Sequence, residues 1–158
     1  MITRPAKVED AGTIARIYNQ GIEDRMATFE TRLRCDDDVL KWFDGVHPIV
    51  VTEEDGQVVA FAGTSVYRPR DCYAGIAECS VYVEREARGR GAGRAVLTAL
   101  HDAARAAGFH KLVSRVFPEN AASLKLLDSL SWTRVGIYRR HGQLDGVWRD
   151  VIIVEKLL

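Results

Sequence analysis

"EREARGRGAGRAVL", residues 84–97, sets three glycines among four arginines, between an alternating apolar run and an apolar helical stripe. A strand that ends in glycines and restarts as a helix leaves that helix's first backbone N–H groups without partners, and a glycine turn lets an anion approach them closely. The segment therefore predicts a strand, an anion cradle and a helix, in that order. Two nucleotide-loop patterns fail here. The dinucleotide pattern on Gly89 and Gly91 needs glycine or alanine where Arg94 stands, and no Gly-Lys-Ser/Thr follows for a Walker loop. What does fit is Arg88-x-x-Gly91-x-Gly93. A plain glycine turn capping a helix is the competing reading.

Upstream, "IAECSVYVE" at 76–84 alternates, with Ala77, Cys79, Val81 and Val83 on one face and Glu78, Ser80 and Tyr82 on the other, so Glu78 stands mid-strand. Downstream, Val96, Leu97, Leu100, Ala103, Ala104 and Ala107 trace a helical stripe that Gly108 stops. "IVVTEEDGQVVAFAGTSV", 49–66, is two β-branched runs joined at Asp55-Gly56, a hairpin signal because both central residues tolerate positive φ. Before it come a short strand at 2–4, a helix from Glu9 to near Glu23, a loop at 24–34 and a short helix over 36–45. After it come a strand at 111–117, a helix at 120–130 and closing strands at 132–140 and 148–158. This order predicts an α/β chain, a mixed sheet with helices on both faces.

At 158 residues without repeat or linker, the chain is expected to be one domain, 1–158. Lys plus Arg and Asp plus Glu number 22 each, so no general field attracts nucleic acid or an anionic membrane, and any anion must be held locally. No apolar run reaches a membrane span, and "MITRPAKVEDAG" lacks a signal-peptide core, which points to the cytoplasm. Cys35, Cys72 and Cys79 have neither CxxC nor paired-His spacing, so they read as reduced small hydrophobes, with no metal site expected.

The Arg88-x-x-Gly91-x-Gly93 segment resembles the pyrophosphate-binding signature of the Gcn5-related N-acetyltransferases, and the element order and spacing to Asn120 extend the likeness over the whole chain. The resemblance implies a mixed, mostly antiparallel central sheet of about six to seven strands flanked by about four helices. It also implies acetyl-CoA as cosubstrate. The backbone of Ser80, Val81, Tyr82 and Val83 would lie along the pantetheine arm. Amides of Arg88, Gly89, Arg90, Gly91, Ala92, Gly93 and Arg94 would hold the pyrophosphate, with Asn120 and Ser123 beside the arm.

"IYNQGIE", "ATFET", "YRPRDCYAGIAECSVYV" and "GVWRDV" look like the branch that acetylates phosphinothricin, methionine sulfoximine or sulfone, and arsinothricin. That implies a small amino-acid-like acceptor, detoxification by neutralising its amine, and a homodimer to which the closing strands could contribute. An amine attacks only when unprotonated, so a proton acceptor is required. Glu78 aligns with the branch's catalytic glutamate; a structural ion pair with an arginine is the alternative. A backbone N–H near Val81 would stabilise the negative oxygen developing on the acyl group. Arg68 and Arg70 would clamp an anionic acceptor, or else are solvated surface arginines, and Phe29 would line its pocket or serve as packing. Trp148 and Asp150 read as strand packing and a surface charge.

Two departures stand out. Leu127 occupies the position, seven residues after Asn120, where the family often has a tyrosine that protonates the leaving thiolate, which leaves Tyr82, Tyr138, water or unassisted departure. Ser131 replaces the usual helix-ending glycine. Competing functions are acetylation of ordinary amino acids, polyamines or protein N-termini, and a non-catalytic acyl-CoA-binding module.

Overall fold

A computed structural model describes residues 1–158. Seven strands form a single sheet in the order β1-β2-β3-β4-β5-β7-β6, with β1 Ile2–Pro5, β2 Ile49–Glu54, β3 Gln57–Val66, β4 Ile76–Val83, β5 Lys111–Val116, β6 Thr133–Leu144 and β7 Val147–Leu157. Every neighbouring pair is antiparallel except β4 and β5, which run parallel. The four helices are α1 Ala11–Asp24, α2 Asp36–Leu40, α3 Ala92–Ala106 and α4 Ala121–Ser129.

The alternation read in β4 lets one strand serve two cores. Ala77 and Cys79 join Val96, Leu97 and Leu100 of α3 and Leu124 and Leu127 of α4 on one face. Tyr82 points to the other face, packing with Ile14 and Ile17 of α1, Val39 of α2 and Phe61 of β3. Each fully buried aliphatic side chain contributes about 1.5–3 kcal/mol, so both helical layers are held by side chains that the sequence periodicity had marked. A third, smaller cluster of Phe117, Leu144 and Val151 closes the end of the sheet near Phe29.

The two hairpins share a cause. Asp55 and Gly56 have φ of 52° and 76°, and Asp145 and Gly146 have 51° and 77°, the pairwise positive values that match strand twist. Because of the second turn, β6 runs to Leu144 and β7 begins at Val147, rather than breaking off at 140 and resuming at 148. The helix expected over 36–45 stops at Leu40. Beyond it the backbone tightens, Trp42 N–H donating to the Val39 carbonyl (2.9 Å), and the Asp44 carboxylate accepts from the N–H groups of Val46 and His47 (both 2.8 Å). α1 starts at Ala11 rather than Glu9, because the Asp10 carboxylate caps the preceding turn through Lys7 N–H (2.7 Å) and Arg4 (2.8 Å). All three cysteines are free thiols, as read from their spacing; only Cys79 is buried, and Cys35 and Cys72 are exposed. Ser131 takes the left-handed conformation, φ 62°, that the missing glycine would have supplied, so α4 ends in the same way at a conformational cost.

Candidate active site

The site begins where a ladder stops. β4 and β5 pair only at Ile76–Lys111, Ala77–Leu112 and Glu78–Val113, although β4 stays on β3 as far as Val83 and β5 stays on β7 as far as Val116. Beyond Glu78 the two central strands part into a wedge. The Ser114 hydroxyl donates to the Cys79 carbonyl across its apex (2.9 Å), and the Val83 carbonyl accepts from Arg88 Nε (3.3 Å), so the backbone groups of both residues face away from β3. Alternation places the N–H and C=O of Val81 on that same open edge, with no strand opposite.

A backbone edge inside a molecule needs a partner. The narrow part of the wedge is lined by Ser80, Val81, Asn120, Ser123, Leu126 and Leu127, which brings the expected arm-binding residues together in one channel. Asn120 is fixed by two bonds: its Oδ1 accepts from Ser123 N–H (3.2 Å), capping α4, and its Nδ2 donates to the Met26 carbonyl (3.2 Å). Leu127 is buried against the channel and offers no proton.

At one end of this edge lies the glycine segment. Gly89 and Gly91 have φ of 77° and 90°, and Ala95 N–H makes the first helical bond, to the Gly91 carbonyl (3.0 Å), so the amides of Ala92, Gly93 and Arg94 point out of α3 unpaired. Gly93 has ordinary φ; a Cβ there would stand 3.3 Å from Leu126 and 3.4 Å from Val83, so its role is close packing. The arginines turn toward the protein: Arg88 pairs with Asp24 (2.8 Å), Arg90 with Glu54 (2.9 Å), and Arg94 donates to Ser129 (2.9 Å). The anion-facing chemistry of the loop is therefore chiefly backbone N–H, with arginine charge nearby. An acyl-CoA fits this set of groups: an extended edge for an amide-bearing arm, then outward amides for a pyrophosphate.

At the other end the wedge widens into a cavity of about 410 Å³ lined by Phe29, Ser65, Glu78, Tyr82, Arg115 and Phe117 among others. Glu78 is half-buried and its carboxylate lies 3.3 Å from Arg115 Nε. Phe29 packs edge-on against Phe117, with centroids 4.9 Å apart. Glu30, the other carboxylate of the lining, is taken by Arg34 (3.0 Å). Burial pushes the Tyr82 phenol up, so it stays protonated, while Tyr138 lies exposed on β6, stacked on His141, away from the cavity. Burial, reinforced by the neighbouring Glu78 charge, also pushes the Cys79 thiol up to about 12, which keeps it inert at neutral pH.

Arg68 and Arg70 do not line this cavity within the chain. They stand in the exposed loop between β3 and β4, over the rings of Tyr67 (4.7 Å) and Tyr73 (5.5 Å) respectively. Trp148 lies exposed on β7, and Asp150 pairs with Arg139 (3.3 Å). The residue that sequence reasoning missed is Arg115. Its signal was present in "KLVSRVF", an arginine inside an otherwise apolar strand, but its significance depends on β5 standing beside Glu78.

Comparison with known proteins agrees with this geometry. The model of the acetyltransferase (GNAT) family matches residues 18–132. An L-methionine sulfoximine/L-methionine sulfone acetyltransferase of Salmonella typhimurium is 32% identical over 159 residues, covering 98% of this chain and 93% of the relative. Among solved structures, a GNAT superfamily phosphinothricin acetyltransferase from Sinorhizobium meliloti in complex with acetyl-CoA superposes with TM-score 0.91 at 28% identity, covering 99% of this chain and 88% of that one. A ribosomal-protein-alanine N-acetyltransferase from Brucella melitensis superposes with TM-score 0.94 at 31% identity, covering all of both chains.

Proposed function

This chain belongs to the acetyltransferase (GNAT) family and is an acetyl-CoA-dependent N-acyltransferase; from that premise we propose that its acceptor is the α-amine of a small glutamate-analogue amino acid of the phosphinothricin, arsinothricin or methionine sulfoximine type. The observation that carries the reading is that Glu78 and the open edge of β4 meet in one cavity at the point where β4 and β5 part. The sulfoximine/sulfone and phosphinothricin acetyltransferases among the relatives support the acceptor class.

Acetyl-CoA, when bound, supplies an activated acyl group as a thioester. Val81 and Val83 line its arm with backbone groups, Tyr82 between them presents its side chain because its backbone faces β3, Asn120 and Ser123 flank the arm, and the amides from Arg88 to Arg94 take the pyrophosphate. The Val81 N–H, directed into the wedge, is placed to donate to the acyl oxygen as negative charge grows there. The Glu78 carboxylate takes the proton that the ammonium must lose before its nitrogen can form the new C–N bond as the C–S bond breaks. Leu127 has no proton to give, and burial, which pushes the Tyr82 phenol up, makes that phenol a poor acid, so we assign the departing thiolate, a comparatively good leaving group, to leave unassisted and take its proton from water. Phe29 forms the apolar wall of the acceptor pocket. Arg68 and Arg70, in the loop that leaves the cavity at Ser65, are assigned to the acceptor's tetrahedral polar tip.

Acetylation removes the ammonium charge that a target enzyme would recognise, so the physiological outcome we infer is detoxification, in the cytoplasm. We further assign a homodimer that uses β6, an exposed edge strand bearing Val135, Ile137 and Tyr138; sedimentation of the purified protein tests it. The acceptor reading is tested by thiol release from acetyl-CoA against phosphinothricin, arsinothricin, methionine sulfoximine and sulfone, ordinary amino acids, spermidine and an alanine-initiated peptide. Saturable turnover confined to the tetrahedral analogues supports it. Turnover confined to the peptide, the chemistry named by the Brucella neighbour, overturns it.

A further inference from the structure

The cavity beside Glu78 contains one basic side chain, Arg115, and its bonding is incomplete. Arg115 Nε lies 3.3 Å from Glu78 Oε1, and the guanidinium makes no other hydrogen bond or ion pair with the protein. A guanidinium carries five N–H donors, so most of this one's capacity is left unused by the protein at the cavity it lines. Other arginines near the site are differently engaged: Arg34 with Glu30, Arg88 with Asp24, Arg90 with Glu54 and Arg149 with Glu119. The register explains why the pair exists. Val113 stands opposite Glu78 at the last rung of the β4–β5 ladder, and Arg115, two residues on, shares the face of Val113 at the first step of the wedge.

We propose that Glu78 and Arg115 together read the head group of a free α-amino acid, the ammonium lying on Glu78 and the α-carboxylate on Arg115. This rests on the acceptor reading above and narrows it, because it makes the α-carboxylate a required part of the substrate. An amino acid hangs its ammonium and carboxylate from a single carbon, and the cavity presents the inverse charges side by side. The entering zwitterion replaces one ion pair by two: Arg115 passes from the Glu78 carboxylate to the substrate carboxylate, where its planar fork can make paired hydrogen bonds. The same move frees Glu78 to face the ammonium whose proton it takes. A polyamine would bring a second cation toward Arg115, and a peptide N-terminus would bring a neutral amide where the carboxylate belongs. Both are disfavoured by the same guanidinium. Arg68 and Arg70 remain available for the distal tip.

The test compares methionine sulfone with its α-carboxamide, by thiol release from acetyl-CoA, in wild type, Arg115→Gln and Arg115→Lys. In wild type the acid should exceed the amide in kcat/KM by about 10- to 100-fold, the range expected of a charge-assisted hydrogen-bond pair. Arg115→Gln should lower the acid by about that factor, mainly through KM, while the amide stays within about threefold, so that the preference collapses. Arg115→Lys, which keeps the charge without the fork, should fall between; it also covers the case in which the glutamine variant fails to fold, which thermal melting reports. Equal loss on both substrates through kcat would overturn the proposal and make Arg115 a positioning residue for Glu78. Turnover of the acid with a preference that neither variant changes would overturn it alone. Absence of turnover with every free amino acid would overturn the acceptor reading as well.

Discussion

Along β4, Ile76–Glu78 has a strand on each side, whereas Ser80–Val83 is held by β3 alone. The residue types are alike in both halves, and the same alternation runs through them. What differs is the neighbour. β5 follows β7 away from β4 after Val113, and the backbone groups of Val81 are left facing a channel between two otherwise continuous parts of one sheet. Sheet proteins ordinarily protect such an edge, because unpaired N–H and C=O groups recruit whatever extended chain is at hand. Here the edge is internal, bordered by Asn120 and Ser123, and the extended partner it suits is an amide-bearing cofactor arm. Glu78, the carboxylate proposed as proton acceptor, stands on the last closed rung, so the proposed cofactor placement and proton transfer would both follow from one structural event, the end of a three-rung ladder.

That contrast is broken most severely at Glu78. Glu78→Gln preserves shape and strand register but removes the proposed proton acceptor, and should lower turnover by about 10²- to 10⁴-fold. Acetyl-CoA affinity, measured by calorimetry, should be nearly unchanged, because the groups assigned to the cofactor lie beyond the fork. A parallel loss of cofactor affinity would mean that Glu78 supports the wedge rather than the reaction.

Proline separates the two edges of the open half. Ser80 and Tyr82 face β3, opposite Gly63 and Phe61, whereas the Val81 N–H faces the wedge. Ser80→Pro should therefore delete a ladder bond on the paired edge of a central strand, seen as a large drop in melting temperature. Val81→Pro removes an N–H that no strand uses, and should melt closer to wild type while losing acetyl-CoA affinity and turnover. Equal destabilisation by both would show that the open edge is paired within the protein.

How far all this was readable from the residues follows the same division. Local periodicity identifies β4, α3, α4 and the first hairpin, and the glycine pattern marks the left-handed turn that opens α3, because those features depend on neighbours within a few positions. The second hairpin is equally marked by Asp145-Gly146, whose positive φ values join the two closing strands that periodicity alone separates. Leu127 and Ser131 were noted as departures, and the backbone of Ser131 adopts the φ that the motif demands. Arg115 and the splay of β4 from β5 could not be read locally. They arise from pairing between strands more than 30 positions apart, and "YRPR" drew attention because its two arginines are adjacent to the Glu78 strand in sequence, while the cavity's arginine is adjacent in space.

Behind the closed half, the fold carries a buried titratable group. His101 of α3 accepts a hydrogen bond from the Trp132 indole (3.1 Å), and burial, with Lys156 nearby as a second cause, pushes its imidazole down from 6.5 to about 4. The folded chain thus holds His101 neutral while the unfolded chain protonates it near 6.5. Stability from this group is complete above about pH 6.5 and is lost as pH falls toward 4, on the order of 2–3 kcal/mol. Melting temperatures from pH 7.5 to 4.5 should show the decline. His101→Gln, which keeps an acceptor for the indole but does not titrate, should flatten that part of the curve. An unchanged slope would assign the acid sensitivity to carboxylate pairs elsewhere.

The smallest expected effect probes the cavity wall opposite the fork. A Cβ on Gly142 of β6 would stand 2.9 Å from the Phe29 ring, closer than side chains tolerate, although the glycine has no positive φ to be strained. Gly142→Ala must therefore displace Phe29, against the resistance of Phe117, which meets it edge-on and whose own ring Arg149 covers at 5.2 Å. The cost in stability should be about 1–3 kcal/mol, the usual range for overpacking. If Phe29 is the acceptor wall, the shift narrows the pocket and raises KM for the amino acid by about two- to fivefold, a difference of under about 1 kcal/mol, while KM for acetyl-CoA and kcat hold. If Phe29 only seals the small cluster with Leu144 and Val151, melting temperature moves and neither KM does. The variant thus asks whether the open half of the sheet ends at the channel or continues across the cavity to β6, where the hairpin marked by a second Asp-Gly brings Gly142 against Phe29.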